Sequence, residues 1–237
     1  MRSILSISMI TLLFVSCSPA QIQQVLEGTL NQPLTNQDVG NGLKQALEFG
    51  ISEGSDRLSS VDGYYKSALY KILLPEEARK VVDKLQFVPG FTDVENIAIE
   101  KINRAAEDAA KKAKPIFVSA IKKMTFQDAM NILMGEKNAA TQYLHTSTYD
   151  PLYSEFKPVI VNSLNKFGAL DYWADAVTAY NKIPFVKKLN PQLDGYVTER
   201  ALYALFDMVE TEELAIRKDV NKRTTDLLRR VFAKQDN

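Results

Sequence analysis

Cysteine and histidine are almost missing from this chain, which has one of each, Cys17 and His145, in 237 residues. That scarcity excludes zinc sites built from Cys/His clusters, paired-histidine motifs and any intrachain disulfide framework. An excess of one charge is missing too. The 29 basic side chains balance 29 acidic ones, so there is no electrostatic footprint for nucleic acid. Ten glycines and nine prolines are too few for a fibrous or low-complexity chain, and 46% apolar residues are too many for a disordered one. Chemistry-bearing motifs are equally sparse. No Gly-x-Ser-x-Gly elbow is present to serve a triad built on His145, and Gly40-Asn41-Gly42 lacks the further glycines, lysine and strand of a phosphate loop. His145, within Tyr143-Leu144-His145-Thr146-Ser147, reads as a surface or half-buried helical residue. No cofactor and no metal site is expected.

What is present begins with an address. Arg2 is the only charge before Glu27, and Ser3 to Ser16 form an apolar run. Such a run spans about 21 Å as a helix, short of the ~30 Å hydrocarbon core, and reads as a secretory signal over residues 1–16. Phe14-Val15-Ser16-Cys17 resembles the lipobox of bacterial lipoproteins, in which the cysteine receives a diacylglycerol thioether and becomes the first mature residue. The resemblance implies lipidation at Cys17. Two alternatives stand beside it, cleavage after Ser18-Pro19-Ala20 by the ordinary signal peptidase, or Cys17 as a filler of the signal. Ser18 stands where an inner-membrane retention aspartate would be, so the resemblance implies the periplasmic face of an outer membrane. Residues 17–37 read as a tether, and 38–237 as a single domain. Loss of Arg2 with the signal leaves 28 basic against 29 acidic side chains, a net charge of −1.

The body of the chain carries helical periodicity throughout. Val94, Ala98, Ile102, Ala105, Ala109 and Ala113 form one face of a long helix, flanked by favourable i,i+4 pairs such as Glu100–Arg104 and Glu107–Lys111. Thr92 and Asp93 suit its start, and Pro115 is expected to end or kink it before a short helix over 116–123. Thr125 and Asp128 have capping-box spacing ahead of a helix that Gly135 terminates. Further helices are expected near 38–60, 75–88, 138–147, 151–167, 171–182, 191–218 and 221–234. Sustained two-residue alternation is lacking, so the expected class is all-α, an irregular multi-helix bundle without significant sheet.

Several short motifs occur in order: Leu74-Pro75-Glu76-Glu77, Ile102-Asn103-Arg104-Ala105-Ala106-Glu107, Lys114-Pro115-Ile116-Phe117, Met124-Thr125-Phe126-Gln127-Asp128-Ala129, Ala139-Ala140-Thr141-Gln142-Tyr143, Tyr196-Val197-Thr198 and Glu213-Leu214-Ala215-Ile216-Arg217. Together they resemble the bacterial family catalogued as domain of unknown function 4197, over about Gly42 to Ala233. The resemblance implies an exported, often lipid-anchored, single-domain helical protein, and brings no activity, cofactor or substrate with it.

The polar residues of interest follow from spacing. Asn103 and Glu107 share a face of the alanine-rich helix, with Arg104 one position round. Asp128, Thr141, Gln142, Tyr143 and Tyr196 lie on other helices that could converge on them. These eight residues are expected to form either a structural hydrogen-bond network or the polar end of a ligand pocket. The basic clusters around Lys111–Lys123 and Arg217–Arg230 are expected to be solvated faces with local ion pairs. Two functions are compatible with all this. The first is a non-catalytic lipoprotein, held on a membrane through its N-terminal lipid, that binds an envelope protein or small ligand. The second is a metal-independent enzyme acting on an envelope component through carboxylates and tyrosines.

Overall fold

Every regular element is a helix among residues 35–85, 93–166, 169–189 and 193–233, the residues that the computed structural model describes. In chain order these are α1 (Asn36–Ser59), α2 (Glu76–Leu85), α3 (Val94–Ala110), α4 (Ala113–Lys123), α5 (Phe126–Met134), α6 (Ala139–Lys166), α7 (Ala169–Asn181), α8 (Asp194–Lys218) and α9 (Asp226–Phe232), with a 3-10 turn at Val220–Lys222. The fold is all-α, as its periodicity implies. Cys17, Thr92 and the expected helix ends at 86–88, 167, 191–192 and 234 lie outside the described residues, as does the tether up to residue 34.

Reciprocal capping boxes set two of the starts. Thr35 accepts from the Asp38 N–H, and the Asp38 carboxylate accepts the Thr35 N–H in return, so α1 begins at Asn36, two residues before the expected boundary. Thr125 and Asp128 make the same reciprocal pair at the head of α5. The break between α3 and α4 falls at Lys111–Lys112, upstream of Pro115. The pyrrolidine ring clashes with the carbonyl four residues earlier, at Lys111, while Pro115 itself sits in the first turn of α4, where its missing N–H costs nothing.

Two expected helices, 138–147 and 151–167, are one. α6 runs through Pro151 and Pro158 without interruption. An interior proline costs a helix about 3 kcal/mol. Against that, Leu144, Leu152, Phe156, Ile160 and Leu164 are all fully buried on a single face of α6, and each such side chain contributes about 1.5–3 kcal/mol when removed from water. Both prolines lie on the exposed face, so burial wins. Conversely, the expected 221–234 helix is interrupted. Arg223 leaves helical geometry, and Thr225 then caps a shorter α9 by accepting from the Leu228 N–H.

The long helices α1, α3, α6 and α8 pack on one another, and the shorter ones close the ends. α6 and α8 are antiparallel, with Asn138 facing Glu210, His145 facing Phe206 and Lys157 facing Asp194 along their length. On α3, Ala105, Ala106, Ala109 and Ala110 are completely buried, which lets neighbouring helices approach closely. α1 achieves the same with glycine. A Cβ on Gly42 would lie 2.6 Å from Val231 Cγ2 of α9, so this glycine serves helix packing.

Candidate functional site

The segment 60–75 between α1 and α2 makes turns but no regular helix, so its backbone groups need partners elsewhere. α3 supplies them. The fully buried Asn103 side chain pairs with Ile72 as another peptide would. Its Oδ1 accepts the Ile72 N–H at 2.8 Å, and its Nδ2 donates to the Ile72 carbonyl at 2.8 Å and to the Ile99 carbonyl at 2.6 Å. One turn on, Glu107 Oε1 accepts the N–H groups of Tyr64 at 3.2 Å and Tyr65 at 3.1 Å. Its Oε2 accepts from Arg104 Nη1 at 2.9 Å. Arg104 continues the chain through Nη2 to Asp62 Oδ1 at 2.8 Å, and its guanidinium lies 5.0 Å from the centre of the Tyr65 ring.

Asp62 sits at φ 70°, a left-handed conformation that Asp tolerates better than most residues. Hydrogen bonds from Lys66 and then Arg104 hold its carboxyl below the usual carboxylate range. The hydrogen bond to Glu107 raises the affinity of Arg104 for its proton. At Gly63, an added Cβ would fall on the carbonyl oxygens of Arg57 and Leu58, so only glycine fits this turn. The segment also reaches α8. The Tyr64 hydroxyl, whose pKa is raised by burial and then by the Glu107 charge, donates to the Ala201 carbonyl at 2.9 Å. Tyr70 donates to Asp207 Oδ2 at 2.9 Å, and from α8 Tyr196 donates to the Leu73 carbonyl at 2.9 Å.

Four of the eight expected residues, Asn103, Arg104, Glu107 and Tyr196, therefore act on one segment. The other four do not join them. Asp128 is spent on the α5 cap, where the Thr125 hydrogen bonds keep its pKa low. Gln142 is exposed and donates to Asn138. Tyr143 lines a separate groove of about 400 Å³ with Pro115, Ile116 and Lys123, and its pKa is raised by burial and by the Asp128 charge.

Thr141 belongs to a second interior network. There Glu213 of α8 accepts the N–H groups of Ala140 at 3.0 Å and Thr141 at 2.8 Å, together with the Thr141 hydroxyl at 2.9 Å. Arg217, one turn along α8, donates Nε to Glu213 Oε1 at 3.0 Å and Nη2 to the Ile132 carbonyl at 2.8 Å. A carboxylate thus caps the positive end of α6 and a guanidinium the negative end of α5, each complementing a helix dipole. Arg223, 1% exposed, likewise donates to the Ile216 and Arg217 carbonyls at the end of α8. This corrects the expectation of a solvated basic face at Arg217 and Arg223. It holds for Lys111, Lys114 and Arg229, which pair on the surface with Asp108, Asp56 and Asp226. The missed signal lay in register, because Glu213 continues the buried stripe of Leu202, Phe206 and Val209.

A third feature was not anticipated. Between α6 and α8 runs an open trough of about 460 Å³, lined by Asn138, Thr141, Gln142, His145, Thr146, Tyr203, Phe206, Asp207 and Glu210. His145 stacks on Tyr149 with centroids 5.0 Å apart and leans on Phe206 at 4.6 Å. Phe206 is buried at the floor, and Tyr203 is 58% exposed on one wall.

Comparison with known proteins adds a family and nothing further. The family described as protein of unknown function, DUF4197, matches residues 33–233, and the chain belongs to it. No curated protein and no solved structure matches.

Proposed function

We propose that this member of the DUF4197 family is an exported lipoprotein of the bacterial envelope, anchored through Cys17 to the periplasmic face of the outer membrane, whose helical domain is a non-catalytic binding or scaffold module. The observation that carries the non-catalytic part is the engagement of its interior carboxylates. Glu107 accepts from two backbone amides and a guanidinium. Glu213 accepts from two amides, a hydroxyl and a guanidinium. A general acid or base must reach the proton it moves, and these oxygens are already committed to holding the fold. The trough between α6 and α8 presents the exposed side chains of His145 and Tyr203 instead, which suits binding.

The anchor rests on the sequence. Arg2, the run to Ser16 and the single cysteine behind it support a lipid attachment strong enough for stable membrane residence, at about 0.8 kcal/mol per buried methylene. Fractionation of cells producing Cys17→Ser tests it. The variant is expected in a soluble or unprocessed form, and salt-resistant membrane association equal to that of the parent protein refutes the anchor.

A further inference from the structure

We propose that the trough between α6 and α8 receives an arginine or lysine side chain of a partner polypeptide. The inference deepens the binding reading above and rests on it. Charge points to the occupant. Asp207 and Glu210 line the trough three residues apart on α8, both only half-buried. Their contacts are with neutral groups, the Tyr70 hydroxyl on Asp207 Oδ2 and the Asn138 amide on Glu210 Oε1 at 3.3 Å. Neither meets a lysine or arginine among the described residues, whereas the neighbouring Glu212 and Glu213 on the same helix both do. Two like charges one turn apart repel each other, and a cation between them relieves that repulsion.

The apolar surface selects what kind of cation. Tyr203 and His145, both exposed, line the trough beside the carboxylates with the buried Phe206 at its floor, and aromatic rings attract guanidinium and ammonium groups within about 6 Å. Tyr203 already does this within the chain, since Arg200 lies over its ring at 4.9 Å. Shape favours a side chain on a polypeptide over a free small molecule. Small-molecule sites enclose most of their ligand, but His145, Gln142 and Tyr203 stand exposed along this trough. An extended segment laid along it would cover these walls while one basic side chain enters between Asp207 and Glu210.

His145, the only histidine, supplies a reporter inside the trough. The full chain in non-ionic detergent is titrated with capped Ala-Arg-Ala, with capped Ala-Gln-Ala and Ala-Glu-Ala as controls, while the imidazole proton resonances are followed by NMR. The arginine peptide is expected to shift them saturably and the controls are not. Its affinity is expected to fall at least about tenfold in Asp207→Asn/Glu210→Gln, and further as salt is raised. Both substitutions keep an acceptor for Tyr70 and Asn138. Should that double variant fail to fold, Tyr203→Ala, at an exposed ring, is expected to weaken binding by about threefold or more. Equal shifts from the glutamine and arginine peptides overturn the proposal, as does unaltered affinity in the variants. Guanidinium chloride binding as tightly as the peptide also overturns it, leaving a site for small cations only. The Cys17→Ser fractionation does not depend on the trough, so either result can fail while the other stands.

Discussion

Replacing Glu107 by alanine tests the central claim about α3, that its polar residues are fastened to the 60–75 segment and not held for chemistry. The substitution removes the acceptor of three donors at once. The Tyr64 N–H is buried and has no route to water, so it bears a desolvation cost of about 1–3 kcal/mol. The Tyr65 N–H is only part-buried and can rehydrate, so its loss lies at the lower end of that range. Arg104 keeps Asp62 as a partner and adds little. Alanine returns a few tenths of a kcal/mol through helix propensity. The net destabilisation is about 2–4 kcal/mol, or about 4–16 °C in Tm for a chain of this size. Circular dichroism melts measure the total, and amide exchange locates it. The Ile72 N–H and the amides of Tyr64 and Tyr65 are expected to lose protection while α6 and α8 retain theirs. Glu107→Gln, which keeps an oxygen for the two amides, is expected to fall between the parent and the alanine variant. A Tm unchanged or raised in Glu107→Ala would refute the reasoning, because a carboxylate kept for binding at the expense of stability behaves that way.

Two further outcomes follow from the same bonds. Glu213→Ala strands Arg217 with no carboxylate partner at a site where the pair is 4% and 7% exposed, at a cost of about 3–5 kcal/mol. Adding Arg217→Ala is expected to cost less than the sum of the two single changes in urea titrations, and strict additivity would show that the pair does not act as a unit. The second outcome concerns acid. The Asp62 carboxyl titrates below its ordinary value of 3.8 when folded, so on acidification the unfolded chain takes up the proton first. Its stabilising contribution is complete above that value and is lost as pH falls through the lower folded one. The Tm of Asp62→Asn is therefore expected to decline less steeply below about pH 4 than that of the parent, and parallel declines would count against the linkage.

How far the sequence could lead depended on the range of each interaction. The Thr125–Asp128 cap, the alanine face of α3 and the Glu100–Arg104 pair rest on neighbours within four residues, where helical spacing alone places the groups, whereas Glu107 turns inward to Arg104 and leaves Lys111, its expected partner, to Asp108. The pairing of Asn103 with Ile72 spans 31 residues, and that of Glu213 with Thr141 spans 72. No local rule brings those together. The continuity of α6 was hidden for the opposite reason. Local rules make proline a stop, and only the buried face running from Leu144 to Leu164 overrides it. The interior places of Arg217 and Arg223 are not legible in the sequence, because composition counts charges without showing that helix ends supply carbonyls to receive them.

α8 brings both kinds of carboxylate onto one helix and lets them be compared under the same conditions. Glu213 lies where α5 and α6 meet, is met by donors on every side, and holds two helix ends in register. Glu210, three residues earlier, has only a long contact with Asn138, and Asp207 has a tyrosine hydroxyl. Identical chemistry should therefore produce opposite signs. Removing charge at Glu213 leaves buried donors without a partner, so stability must fall. Neutralising Asp207 and Glu210 removes a repulsion between half-solvated groups that already lack cations, so stability should hold or rise. If the trough exists to receive a basic side chain, that relief is what the partner supplies on binding, and the unbound domain carries the two charges at a small cost in stability. On that proposal, a helix whose Glu212 and Glu213 meet cations and whose Asp207 and Glu210 do not separates the carboxylates that build the fold from those offered to a partner.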